Sequence, residues 1–196
     1  MSAELVFATS NLGKLAELTD LLGGAVRVRS AADFPQVVPP EEDGATFEEN
    51  ARKKALHYAR ATSLPALADD SGLCVDALGG RPGVHSARYA PGTDADRYRA
   101  LLLELDAVPV DRRGAAFRCA LCLAFPDGRT VVEEGDCPGR IARAPCGEGG
   151  FGYDPVFVVS ELGRTMAELT RAEKSRVSHR GRAFARMRPH LLALGR

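Results

Sequence analysis

Residues 67–88 read LADDSGLCVDALGGRPGVHSAR, and the rest of the chain is organised around them. An apolar run, 64–68, delivers two adjacent carboxylates, Asp69 and Asp70, with Ser71 and Gly72 behind them. A second apolar run covers 73–75, and a rigid Pro-Gly loop follows at 79–83. Read as a strand end, the stretch sends Asp69 and Asp70 to opposite faces, so they do not share one proton. One carboxylate can then hold a metal or polarise a water while the other anchors the loop. Asp-Asp-Ser-Gly is also made of common turn residues. Locally, strand end and turn both stay open.

A chain of 196 residues suits one sizeable domain or two small lobes. Its formal net charge is zero, so no global field recruits nucleic acid or an anionic membrane. Glu4 interrupts a short apolar N-terminus, and no run is long enough to span a bilayer. The expectation is a cytoplasmic protein. Cys119-x-x-Cys122 lies inside the apolar run 115–125. An offset of three on a strand sends the two sulfurs to opposite faces, which suits packed, reduced thiols better than a metal or redox pair.

Upstream, residues 5–8 form a short apolar strand. The polar loop Thr9, Ser10, Asn11, Leu12, Gly13, Lys14 follows, and then Leu15, Leu18 and Leu22 recur at helical spacing. A strand–loop–helix of this kind offers backbone N–H groups and a positive dipole end to an anion, and Lys14 adds a charge. It is not the Walker A pattern. Residues 37–44 (VVPPEEDG) form a rigid acidic loop whose Glu41 and Glu42 are candidate metal ligands or solvated charges. Thr46-x-x-Glu49 is a capping box that opens a helix to about residue 62. Asn50 and Lys54 share one stripe of that helix.

Downstream, residues 93–105 read as a helix and 108–113 as a linker. Runs 115–125 and 130–137 read as an antiparallel hairpin, and 139–144 as a further strand. Residues 146–154 (CGEGGFGYD) hold four glycines in nine positions, a loop that cannot pack a core. Its aromatics, Phe151 and Tyr153, either stack on a flat ligand such as a base or pin the loop to the body. Thr170-x-x-Glu173 caps one C-terminal helix with Val177, Phe184, Met187, Leu191 and Leu194 on its apolar face, and Pro189 kinks it or starts a new turn. Lys174, Ser178, His179 and Arg180 stand near its start.

Five blocks in this order resemble the inosine/xanthosine triphosphate pyrophosphatases, the Ham1-like nucleotide house-cleaning enzymes. They are ATSNLGK, EEDGATFEENARKKA, ADDSGLCVDALGGRPGVHSARYA, GGFGYDPVF and AELTRAEKSRVSHRGRA. The resemblance implies a mixed α/β fold with a long central sheet, flanking helices and two lobes around an active-site cleft. It treats residues 1–196 as a single two-lobed domain that pairs as a homodimer. The implied activity is Mg²⁺-dependent hydrolysis of ITP, dITP and XTP to the monophosphate and pyrophosphate. By the same resemblance, Thr9 to Lys14 belong to a substrate loop, and Lys14 and Lys54 contact the triphosphate. Asp70 is metal ligand and proton acceptor with Asp69 beside it, and Glu41 or Glu42 is a second metal ligand. Ser71 and Lys174 bind substrate. Phe151, Gly152, Tyr153 and Asp154 form the base-side loop with Phe151 stacking, and His179 and Arg180 read the base.

The chemistry agrees. A triphosphate needs metal and cations, while the protein mainly positions the reactants. Three of the four lysines (Lys14, Lys54, Lys174, but not Lys53) fall on the implied substrate contacts. Hypoxanthine and xanthine present an oxygen at position 6 where adenine presents an amino group. A donor such as Arg180, or a backbone N–H, is left unpaired by adenine, and an unpaired buried polar group costs about 1–3 kcal/mol. A pyrophosphatase preferring pyrimidine nucleotides and a nucleotide-binding module without turnover are the competing readings. The acid pair argues against the second, since a pure phosphate binder gains nothing from carboxylates beside phosphates.

Overall fold

The stretch that could have been strand end or turn is the middle of one strand. A computed structural model describes residues 3–195, the side chains of residues 12, 17 and 21 excepted. In it, β3 (Ala66–Val75) runs straight through Asp69, Asp70 and Ser71. The turn reading fails because both flanking apolar runs are buried, and the strand joins them without a break.

Five further strands share its sheet: β1 (Glu4–Phe7), β2 (Arg27–Ser30), β4 (Gly114–Ala124), β5 (Thr130–Ile141) and β6 (Phe157–Val159). The order is β2-β1-β3-β4-β5-β6. β1 pairs parallel with β2 and β3, and β5 pairs antiparallel with β6. This is the mixed α/β sheet expected. Its helices are α1 (Leu12–Leu22), α2 (Phe47–Thr62), α3 (Asp94–Glu104), α4 (Arg171–Val177) and α5 (His179–Ala193). No described helix is long and apolar enough to cross a membrane.

The chain forms two compact units. One gathers the chain up to Asp70, Cys119–Glu134 and the chain from Arg182 on; the other gathers Ser71–Arg118 and Gly135–Gly181. The alternation of strand residues builds the first unit in three layers. Leu5, Phe7, Leu67, Cys119, Leu121 and Leu123 pack with α1 (Leu18, Leu22) and α5 (Phe184, Met187, Leu191). Val6, Ala8, Ala66, Ala68, Ala120 and Cys122 pack with α2 (Ala51, Ala55, Tyr58, Ala59). Cys119 and Cys122 therefore occupy opposite faces as buried thiols, as their spacing predicts. The small residues on the α2 face let that helix lie close to the strands. The second unit has one cluster around Leu73, Val75, Leu101, Phe117 and Phe157.

Two expectations are corrected, and the linker between them holds a buried residue that its sequence did not reveal. The separate strand at 139–144 is the end of β5, and the last pairing belongs to the three-residue β6, too short to give a pattern. The linker at 108–113 ends in Arg113, which is 2% exposed. Its guanidinium donates to the carbonyls of Val108 (3.0 Å), Ala142 (3.1 Å) and Leu105 (2.5 Å). The single C-terminal helix is two. Ser178 turns extended (ψ 152°) and ends α4, and its hydroxyl accepts the Gly181 amide at 3.1 Å in the first turn of α5. Pro189 sits inside α5 without ending it.

Candidate active site

Asp69 and Asp70 leave β3 on opposite sides, as alternation requires. Asp69, 1% exposed, takes the Lys14 ammonium from α1 at 2.7 Å. Asp70 takes the amide N–H of Asn50 from α2 at 2.9 Å. The first carboxylate is thus neutralised by a cation. The second accepts from a neutral amide and also lies within the field of the Lys54 ammonium.

Lys14 stands in the first turn of α1. Asn11 caps that helix through its side-chain oxygen, which accepts from the amides of Gly13 (2.9 Å) and Lys14 (3.1 Å). Thr9 Oγ1 in turn accepts the Asn11 amide at 3.2 Å, and Ser10 is exposed. Two first-turn amides expected to be open to an anion are therefore already satisfied. What the loop offers is the helix dipole and the lysine charge. The Leu12 side chain lies outside the described residues.

On α2, Thr46 caps by accepting the Glu49 amide at 3.1 Å. The Glu49 carboxylate reaches back one residue further than a capping box requires, to the Ala45 amide at 2.7 Å. Asn50 is buried, and its side-chain oxygen accepts the Gly44 amide at 2.8 Å. One amide side chain thus joins the acidic loop to Asp70. Sequence reasoning did not place Asn50 among the site residues, although its four-residue spacing from Lys54 was the signal. Lys54 forms a close ion pair with Glu42. Burial pulls the Lys54 pKa down, but Asp69, Glu42 and Asp70 together outweigh it and raise it above the ordinary value. Glu41 is exposed, so the acidic loop brings Glu42 to this group of charges.

Among the described residues no three His, Cys, Asp or Glu side chains converge as a complete metal cage. The donors present suit a hard cation that takes one or two carboxylates and completes its shell with phosphate oxygens and water. Lys14 pairs with Asp69, and Lys54 pairs with Glu42.

The second unit holds the remaining candidates. Ser71 Oγ accepts from Arg180 at 3.3 Å, and Arg180 is buried at the start of α5. His179 beside it stacks on Phe117, centroids 4.9 Å apart and planes 14° apart. In the glycine-rich loop the two aromatics separate. Tyr153 is buried, donates to the Ser86 carbonyl at 2.9 Å and has its pKa pushed up by burial. Phe151 stays 49% exposed. Lys174 Nζ lies 4.8 Å from the Phe151 centroid and Arg180 Cζ 5.7 Å. The buried Asp154 carboxylate accepts from Lys174 at 2.6 Å and from the Phe151 amide at 2.9 Å. An exposed ring with two cations over it can stack a flat group and donate to acceptor oxygens at its edge. Asp94, which sequence reading left unassigned, accepts the Gly152 amide at 2.6 Å.

A model of the Ham1 family matches residues 5–190. The dITP/XTP pyrophosphatase of Geobacter sulfurreducens is 53% identical over 95% of this chain and 96% of its own length. That of Geobacillus kaustophilus is 52% identical over 94% and 92%. A solved structure of a HAM1 protein from Coxiella burnetii superposes with a TM-score of 0.91 at 43% identity, covering 97% of this chain and 99% of that one.

Proposed function

This chain belongs to the Ham1 family, and from that premise we propose that it hydrolyses non-standard purine nucleoside triphosphates, dITP, ITP and XTP, to the monophosphate and pyrophosphate. The observation that carries the reading is the divided acid pair on β3, Asp69 held by Lys14 and Asp70 by Asn50, in a chain about half identical to named dITP/XTP pyrophosphatases.

Asp70 and Glu42 would hold Mg²⁺, which neutralises phosphate charge and lowers the pKa of bound water. Asp70 accepts the proton of the attacking water. The water oxygen bonds to the α-phosphorus in line as the α–β bridging bond breaks, and pyrophosphate departs with its charge matched by Lys14 and Lys54. Phe151 stacks the base, Lys174 and Arg180 donate to its oxygens, and Ser71 contacts substrate. The thiols of this chain, none in a disulfide among the described residues, suit a reducing cytoplasm. A homodimer is part of the same proposal, measurable by light scattering.

Purified protein with Mg²⁺ is offered dITP, ITP, XTP, ATP, GTP and pyrimidine triphosphates. The expected result is dIMP and pyrophosphate from dITP, with a phosphate assay silent until inorganic pyrophosphatase is added. In ¹⁸O-water the label should enter the monophosphate. Label in pyrophosphate, or orthophosphate with dIDP, would overturn the assigned bond. A preference for pyrimidine triphosphates would replace the substrate class.

A further inference from the structure

We propose that Asp94 is a positioning residue for the base-side loop, holding the peptide between Phe151 and Gly152 and so the exposed Phe151 ring; the inference rests on the base-side role proposed above. The loop needs such an anchor. Residues 146–154 include four glycines, and Gly152 sits in the left-handed region at φ 62°. A chain this permissive loses much conformational freedom when ordered.

Its neighbours are fastened separately. Asp154 accepts the Phe151 amide at 2.9 Å, and its own amide donates to the Phe151 carbonyl at 3.2 Å. Tyr153 donates to the Ser86 carbonyl, while Ser86 Oγ accepts the Leu73 amide at 2.9 Å. These bonds fix one end of the 151–152 peptide and the residues beside it. The N–H end of that peptide is taken by Asp94 at 2.6 Å. With both ends held, the peptide plane is restrained, and with it the backbone that presents the Phe151 ring to Lys174 and Arg180.

Asp94 is itself fixed before any ligand arrives. It opens α3 behind the Thr93 cap, where the helix dipole favours a carboxylate. Its second oxygen forms a close ion pair with Arg97, and Arg97 also donates to the Gly92 carbonyl at 3.0 Å. A hydrogen bond to a carboxylate is shorter and stronger than one to a neutral acceptor. The loop is thus ordered during folding. Without Asp94 the ordering would be charged against substrate binding, which raises KM.

The test compares wild type with Asp94→Ala and with Asp94→Asn, which keeps an acceptor oxygen. Three readouts are taken: dITP kinetics, competitive inhibition by inorganic tripolyphosphate, and NMR-detected amide exchange at Phe151 and Gly152. For Asp94→Ala the KM for dITP should rise about tenfold with kcat within about threefold, and inhibition by tripolyphosphate, which has no base, should not change. The Gly152 amide should exchange faster. Asp94→Asn should recover most of the KM. Three results would overturn the inference: an unchanged KM, an equal loss for dITP and tripolyphosphate, or unaltered exchange at Gly152. Wild-type protein inert towards dITP would sink the activity reading instead, and the exchange comparison would still decide the anchoring.

Discussion

Asp69 pairs with the Lys14 ammonium and Asp70 accepts from the Asn50 amide, and the roles proposed for the two acids differ with these partners. A neutral donor at 2.9 Å orients the Asp70 carboxylate, the group proposed as metal ligand and proton acceptor. Asp70→Asn should fold with an unchanged melting temperature and lose about 10²–10⁴-fold in turnover. Activity within a few-fold of wild type would remove Asp70 from the mechanism. Asn50→Ala should lower kcat on the order of tenfold and leave KM near wild type, because the reacting group loses its orientation while the substrate keeps its contacts. Opposite faces for the two acids were legible from alternation alone. Their partners were not, because Lys14 lies 55 residues from Asp69 and Asn50 lies 20 residues from Asp70, and only folding brings them together. The structure separates Glu42 from Glu41 by the same kind of fact, an ion pair with Lys54 that no local pattern encodes.

Elements with strong periodic or capping signals were readable, including α2 behind Thr46 and α3 behind Thr93. Elements set by tertiary contact were not. Four turn-forming residues inside β3 contradict local propensity, and burial of the flanking runs wins. The break between α4 and α5 is hidden because Ser178 and Gly181 are tolerable inside a helix. The turn that follows Ser178 leaves no room for a side chain at Gly181: a Cβ there would lie 1.8 Å from the Ser175 carbonyl oxygen. Gly181→Ala should therefore cost about 1–3 kcal/mol in stability and, by shifting the turn that carries His179 and Arg180, reduce the preference for dITP over ATP. Thermal melting and paired kinetics would measure both. Arg113 shows the same blindness in a segment read as linker. Replacing it with Met removes the donor from three carbonyls and should cost about 2–5 kcal/mol. The denaturant midpoint should fall with the m-value unchanged.

Over the whole molecule, 26 basic and 26 acidic residues cancel, so a highly charged substrate is drawn by local charge rather than by a net field. The cations proposed for the phosphates, Lys14 and Lys54, belong to the first unit, and the groups proposed for the base, Phe151, Lys174 and Arg180, belong to the second. Within its own unit Lys14 pairs with Asp69. Free energies of sites without shared partners add to within about 0.5 kcal/mol. Lys14→Ala should weaken inhibition by tripolyphosphate about tenfold, and more at low salt, because a charge contact is screened as ionic strength rises. Phe151→Ala should leave tripolyphosphate inhibition alone and raise the KM for dITP about tenfold, the loss expected of one stacked base at 1–3 kcal/mol. The double variant should then lose the product of the two factors in kcat/KM, about a hundredfold. A loss well short of that product would mean that phosphates and base are gripped as one cooperative unit, and the division of labour between the lysines and the aromatic loop would have to be withdrawn.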